Sequence, residues 1–230
     1  MVGDVLNDAF DLYKAHWKHL MGVALVFYVV AASITLVLSL VFGAWGAVVG
    51  AFVLLVGVFW LTGALIEAVA DVRDGRADLT LSETFGRVKP RVLPLLGASI
   101  LAGLGIALGF ALLIVPGLVL LTWWCLVPAA VVLEGRRVFD AFGRSRALVR
   151  GNGWSVFGLL VVTYLLTSVV AGVIRTVFTP LPEYVSEFLG SLVSGTVVVP
   201  FTAVAITVLY FRLRGAEPAD PEALPQALAR

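Results

Sequence analysis

The chain has 230 residues, 60% of them apolar and only 13% charged, with a mean hydropathy of +1.04 and a formal net charge of +1. Soluble domains carry about a quarter charged residues, and a single soluble core could not hide this much apolar surface, so the composition specifies an integral membrane protein. The near-neutral balance excludes a nucleic-acid-binding surface, and the lone Cys125 excludes an intrachain disulfide and a zinc site of spaced cysteines.

The N-terminal segment carries Val2, Val5, Leu6, Ala9, Phe10, Tyr13 and Trp17 at helical spacing, with Asp4, Asp8, Asp11, Lys14 and Lys18 on the opposite face. This pattern predicts an interfacial amphipathic helix with Tyr13 and Trp17 at headgroup depth. Its acidic start and the long apolar run behind it do not fit a secretory signal, so the segment is expected to be retained. Residues 20–42 form the first uncharged run long enough to cross a bilayer, and after a break at Gly43 residues 45–66 form the second.

A second amphipathic segment follows, with Ser82 as its cap, Phe85 and Val88 on its apolar side and Lys89-Pro90 at its end. Residues 93–133 then run without a charge, and the turn chemistry of Pro116-Gly117 divides them into spans three and four, the latter over 117–133. A third amphipathic segment has Val138, Ala141, Phe142, Ser145 and Leu148 on one face, ringed by Arg136, Arg144, Arg146 and Arg150. Spans five and six are expected over 154–178 and 188–211, with Pro128 and Pro200 kinking spans four and six. The tail, 213–230, carries Pro218, Pro221 and Pro225 and reads as mobile. Continuous apolar runs exclude an alternating β-barrel, and lipid admits only helices here. Small residues four apart, at Gly46 and Gly50, Gly105 and Gly109, and Gly103, Ala107 and Ala111, are expected to let helices approach closely.

Every Lys and Arg except Arg175 falls at the N-terminus, in the loops after spans two and four, or in the tail. That asymmetry places both termini in the cytoplasm, in a multi-pass arrangement of the cell (inner) membrane. The expected fold is all-α: six transmembrane helices as three hairpins, each preceded by a cytoplasmic amphipathic helix. An acid, a small residue and Phe recur at Asp8-Ala9-Phe10, Glu83-Thr84-Phe85 and Asp140-Ala141-Phe142. They mark three repeat units over approximately 1–67, 80–135 and 138–212, within one membrane domain over 1–212.

No catalytic constellation stands out. His16 and His19 offer two ligands and no third, and Ser194-Gly195 has no histidine in any span to activate it, so neither an enzyme activity nor a metal or other cofactor is expected. Thr163, Thr167, Arg175 and Ser194 are candidates for an intramembrane polar path. Glu134, Arg136, Arg137, Arg144, Arg146 and Arg150 are candidates for a structural ion pair or for binding anionic lipid headgroups, with Glu134 expected to pair with Arg144.

The series Ile114-Val115-Pro116-Gly117, Pro128, Val132-Leu133-Glu134-Gly135 and Ala141-Phe142-Gly143-Arg144-Ser145-Arg146-Ala147-Leu148-Val149-Arg150-Gly151-Asn152-Gly153-Trp154 resembles the membrane domain attached to some bacterial glycerophosphoryl diester phosphodiesterases, and its stand-alone six-span relatives. The likeness extends over nearly the whole chain. It implies a membrane module; hydrolysis in fused members belongs to a separate soluble domain that these residues do not contain. The expected function is therefore a non-catalytic scaffold or accessory module engaging membrane lipids or partner proteins, or further copies of itself, at the cytoplasmic face. The alternative is a transporter or lipid-handling carrier with its path among spans five and six.

Overall fold

A computed structural model describes residues 1–73 and 81–216, apart from the side chains at positions 36, 44, 47, 51, 55, 81, 82, 183, 184 and 187. The Ser82 cap, the loop arginine Arg76 and the tail beyond position 216 lie outside the described residues. The described residues form helices and no strands: α1 (Val2–Arg73), α2 (Leu81–Val88), a 3-10 turn (Lys89–Arg91), α3 (Val92–Leu112), α4 (Ile114–Trp124), α5 (Val127–Glu134), α6 (Val138–Val149), α7 (Gly153–Phe178) and α8 (Glu183–Gly215). Six stretches are long and apolar enough to cross a membrane: Val2–Gly43, Val48–Arg73, Glu83–Leu112, Ile114–Glu134, Gly153–Phe178 and Phe188–Gly215.

α1 is bent twice. His16 leaves helical geometry at φ −123°, where the N-terminal segment meets the first long apolar arm, and Gly43 at φ +58° separates that arm from the next. A positive φ costs little only where there is no Cβ, which is why the reversal falls on Gly43. The two arms then meet side by side, Gly46 against Leu38, Gly50 against Thr35 and Gly57 against Phe27, each too close to admit a Cβ without displacement. The same economy joins α3 to α4, where Gly105 faces Trp124 and Gly109 faces Gly117. Gly103 meets nothing, and Ala107 and Ala111 are exposed, so that third small-residue series makes no close approach within the chain.

The expected turn at Pro116-Gly117 is displaced. The chain turns at Leu113, which is extended (φ −160°, ψ 149°), and Pro116 sits in the first turn of α4. The first amides of a helix have no intrahelical partner, so a proline there removes nothing. α8 also runs past the boundary at 212, to Gly215.

The interior is one packed cluster from α1, α5, α6, α7 and α8, including Val5, Leu20, Leu65, Val156, Leu209 and Tyr210, joined by a second around Ile66, Val88, Leu95, Val127 and Val132. Around it, Leu40, Trp45, Leu104, Leu108, Leu165 and Val169 stand exposed, an outer surface suited to hydrocarbon.

The charged segments gather at one end. The Arg73 guanidinium lies 4.2 Å from the Phe211 ring centroid, Arg87 is 3.6 Å from Glu67, Arg212 is 3.3 Å from Asp8, and Arg91 donates to the Val132 carbonyl. The Phe of each acid–small–Phe triplet meets an aromatic ring edge-on: Phe10 meets Phe201 at 6.4 Å, Phe85 meets Trp60 at 5.5 Å and Phe142 meets Trp124 at 5.0 Å. The preceding small residues, Ala9, Thr84 and Ala141, are fully buried.

Tyr13 is half-buried, and its hydroxyl donates to the Val197 carbonyl at 3.0 Å while its ring stands edge-on to Phe201 at 5.7 Å. Pro200 lies in the same stretch of α8 and cannot donate to the Thr196 carbonyl, one residue before the one that Tyr13 reaches. The Val197 carbonyl gives the half-buried Tyr13 hydroxyl an acceptor within an apolar surround. Tyr13→Phe should lower stability by about 1 kcal/mol in thermal unfolding of the detergent-solubilised protein.

Candidate functional site

The most densely bonded polar site is built around an interruption between α4 and α5. Pro128 cannot donate to the Trp124 carbonyl, so the helix stops at Trp124 and restarts at Val127, with Pro128 in the new first turn. The groups left open are met from α6. The Ser145 hydroxyl donates to the Trp123 carbonyl at 2.6 Å and accepts the Leu126 amide at 3.2 Å, bonding both sides of the break with one buried side chain. Its neighbours hold the same corner: Phe142 packs edge-on to Trp124, and the Arg146 guanidinium lies 4.3 Å from the Trp123 ring centroid.

α5 ends at Glu134 because Gly135 turns left-handed at φ +65°, and the Gly135 and Arg136 amides both return to the Ala130 carbonyl. That geometry leaves the Glu134 carboxylate where three donors converge. Tyr210 of α8 donates to Oε1 at 2.6 Å; Arg144 Nε of α6 donates to Oε1 at 2.8 Å and to Oε2 at 3.0 Å; Arg136 Nε donates to Oε2 at 2.9 Å. Glu134 is 10% exposed, Arg144 19% and Arg136 49%. The Arg136 leg is therefore largely screened by solvent, and the Arg144 and Tyr210 legs carry the link between α5, α6 and α8. An acid at a helix C-terminus opposes the helix dipole, which these cations offset.

The arginine belt thus divides. Arg144 and Arg136 are engaged by Glu134, and Arg146 is exposed but stacked on Trp123. Arg137 and Arg150, at the two ends of α6, are exposed.

The polar-path candidates are only partly brought together. Thr163 and Thr167 of α7 line a cavity of about 450 Å³ with Thr202 of α8, walled by Leu118 and Leu121 of α4. Ser194 and Arg175 are not among its lining residues. Ser194 bonds its own helix, donating to the Ser191 carbonyl at 3.3 Å, and exposed Arg175 packs beside Gly190. The hydroxyls of Thr167 and Thr202 are likewise turned back to the carbonyls of Thr163 and Val198, at 2.7 and 3.1 Å. Among the described residues, Thr163 Oγ1 is the buried side-chain polar atom with no hydrogen-bond partner. A second cavity, of about 610 Å³, adjoins at Leu118 and Phe157 and extends to Trp123, Asn152 and Trp154. No cluster of three or more His, Cys, Asp or Glu side chains among the described residues could hold a metal ion.

Sequence reasoning missed Tyr210, Ser145 and Trp123. Pro128 was the available signal for Ser145, since a proline break inside an apolar run demands an outside donor and acceptor. Tyr210 lies 76 positions from Glu134 and gave none.

The site and fold define an all-helical protein with six helices long and apolar enough to span a membrane, tied together by a polar corner at one end. The family described as Domain of unknown function (DUF7847) matches residues 97–213, just over half the chain, and the chain belongs to that family. The match takes in the whole polar corner, from α3 to Tyr210. No curated protein and no solved structure matches the chain, and the likeness to the phosphodiesterase membrane domain gains no support from the family match.

Two stability outcomes follow from this geometry. Glu134→Gln should destabilise the detergent-solubilised protein by about 1–3 kcal/mol, because two part-buried donors lose their charged acceptor; an unchanged thermal midpoint would mean the corner does not hold α6. Thr163→Val should raise the midpoint slightly, since a methyl group replaces a buried hydroxyl that bonds nothing.

Proposed function

We propose that this chain is a non-catalytic membrane module that engages anionic lipid at the cytoplasmic face. The observation that carries the reading is the division of the arginines in and beside α6: Glu134 takes Arg144 of α6 and Arg136 before it, while Arg146 of α6 and Arg150 at its C-terminal cap stay exposed. A helix fastened to the bundle with a fixed row of cations at its surface is suited to lipid phosphate, at about 1 kcal/mol per cation near an anionic leaflet.

The three-unit reading supports this placement. Each acid–small–Phe segment docks on the closing helix of another unit through one ring contact and one ion pair: Phe85 and Arg87 on Trp60 and Glu67, Phe142 and Arg144 on Trp124 and Glu134, and Phe10 and Asp8 on Phe201 and Arg212. In the third joint the charges are exchanged. Three amphipathic helices, each before a hairpin of spans, would form a ring of interfacial segments at the basic end, with both termini on the cytoplasmic side of the inner membrane. The resemblance to the membrane domain of glycerophosphoryl diester phosphodiesterases fits a module of this kind, whose chemistry, where there is any, belongs to a fused partner.

Native mass spectrometry of protein released from mixed phosphatidylglycerol and phosphatidylcholine vesicles tests the reading. Wild type should retain phosphatidylglycerol preferentially. The Arg146→Gln, Arg150→Gln double variant should lose that preference by roughly tenfold or more, from two cations at about 1 kcal/mol each. An unchanged preference would remove the lipid-headgroup role of α6.

A further inference from the structure

The two cavities beside α4 share Leu118 and Phe157 and together make one groove between α4 and α7, floored deeper in by Thr202, Ala205 and Ile206 of α8. We propose that this groove holds one acyl chain of an anionic phospholipid whose phosphate sits at Arg146 and Asn152; the inference rests on the lipid-engaging reading and names the ligand's place.

Its length fits a chain. The stretch of α7 from Trp154 to Thr167 covers about 20 Å at the helical rise of ~1.5 Å per residue. A single leaflet is about 15 Å of hydrocarbon, so the groove accommodates a chain running from headgroup level to mid-bilayer and slightly beyond. Its chemistry fits a chain better than a hydrated solute or ion. The hydroxyls on Thr122, Thr167 and Thr202 all donate to carbonyls of their own helices, at 2.8, 2.7 and 3.1 Å; Thr163, whose hydroxyl bonds nothing, and Tyr164 are the other polar side chains of the deep wall, and the rest of it is Leu, Val, Ile, Ala and Phe.

Among the described residues around the groove, charge is found at the end near α6. There the Arg146 guanidinium rests on the Trp123 ring, which itself lines the groove, and Arg150 closes α6 just before the Gly151-Asn152-Gly153 turn. Asn152 and Ser155 line this end. Trp154, 88% exposed, stands at the same level, as a tryptophan does at a membrane interface. A cationic, amide-bearing entrance above a hydrocarbon-walled slot is complementary to a phosphate joined to an acyl chain.

The test uses the full chain in vesicles containing a phosphatidylglycerol with a diazirine near the end of one acyl chain. Photolysis and peptide mapping should place adducts on groove residues such as Leu121, Leu160 and Ile206. Native mass spectrometry then separates this claim from the broader one. Leu118→Trp fills the point shared by the two cavities and should reduce the retained lipid at least several-fold, while Val173→Trp on the exposed face of α7 should leave it unchanged; thermal midpoints within a few degrees of wild type confirm that both fold. If Leu118→Trp retains lipid like wild type, or adducts fall only on outward residues such as Val162 and Val169, the groove is not the chain's site. In that case loss of phosphatidylglycerol preference in the Arg146→Gln, Arg150→Gln variant would leave the headgroup role standing. If that variant also keeps its preference, both readings fall.

Discussion

A main-chain amide or carbonyl left without a partner in hydrocarbon costs several kcal/mol, and this constraint explains where the polar side chains of the bundle are placed. The chain breaks its own helical ladder around Pro128 and again at Pro200. At the first, the Ser145 hydroxyl of α6 bonds both sides of the break; near the second, the Tyr13 hydroxyl of α1 donates to the Val197 carbonyl, next to the Thr196 carbonyl that Pro200 cannot reach. Ser145 could not be replaced by a larger apolar group without orphaning backbone. α6 is therefore a structural closure for the helix it packs on, which is why Ser145 is buried on a helix that also carries the exposed Arg146.

The Glu134 corner applies the same logic to charge. A carboxylate closing an apolar helix would be costly if left alone. Here its two oxygens receive donors from three directions, and the helices that supply Arg144 and Tyr210 are thereby held in register with α5. Removing the acid would take a charged acceptor from both Arg144 and Tyr210, so the corner holds as a unit. The weaker joint at Glu67 and Arg87, 3.6 Å apart with the arginine half exposed, has no comparable set of donors and should contribute less.

Much of this was legible in the residues. Six apolar runs read as six long helices because a continuous uncharged stretch has no other stable form in lipid, and the break expected at Gly43 is where the structure turns with positive φ. Glu134 beside a cluster of arginines pointed to a counter-ion. The rest depended on features with no local signature. Pro116-Gly117 has turn chemistry, yet Pro is equally suited to a helix's first turn, and only packing of Gly109 on Gly117 distinguishes the two. Hydroxyls at Thr163, Thr167 and Ser194 looked like a path in composition; in space Thr167 and Ser194 bond their own helices, and Ser194 and Arg175 do not line the cavity that contains the two threonines.

One residue connects the brace to the groove. Trp123 gives its carbonyl to Ser145, offers its ring face to Arg146 and lines the space between α4 and α7. Its backbone is held by the helix break, so its ring has little freedom to move independently of α6. The position of Arg146 at the groove entrance is thus set by the same contact that repairs the ladder at Pro128. A group bound beneath Trp123 and Arg146 would press on α4 and α6 together, and α6 is tied through Arg144 to Glu134 and so to Tyr210 of α8. The groove is flanked by α4 and α7 and floored by α8, so occupancy would act on helices that the polar corner already joins. The side chains that make a broken helix tolerable in hydrocarbon also hold Arg146 where the space between α4 and α7 opens beside Trp123.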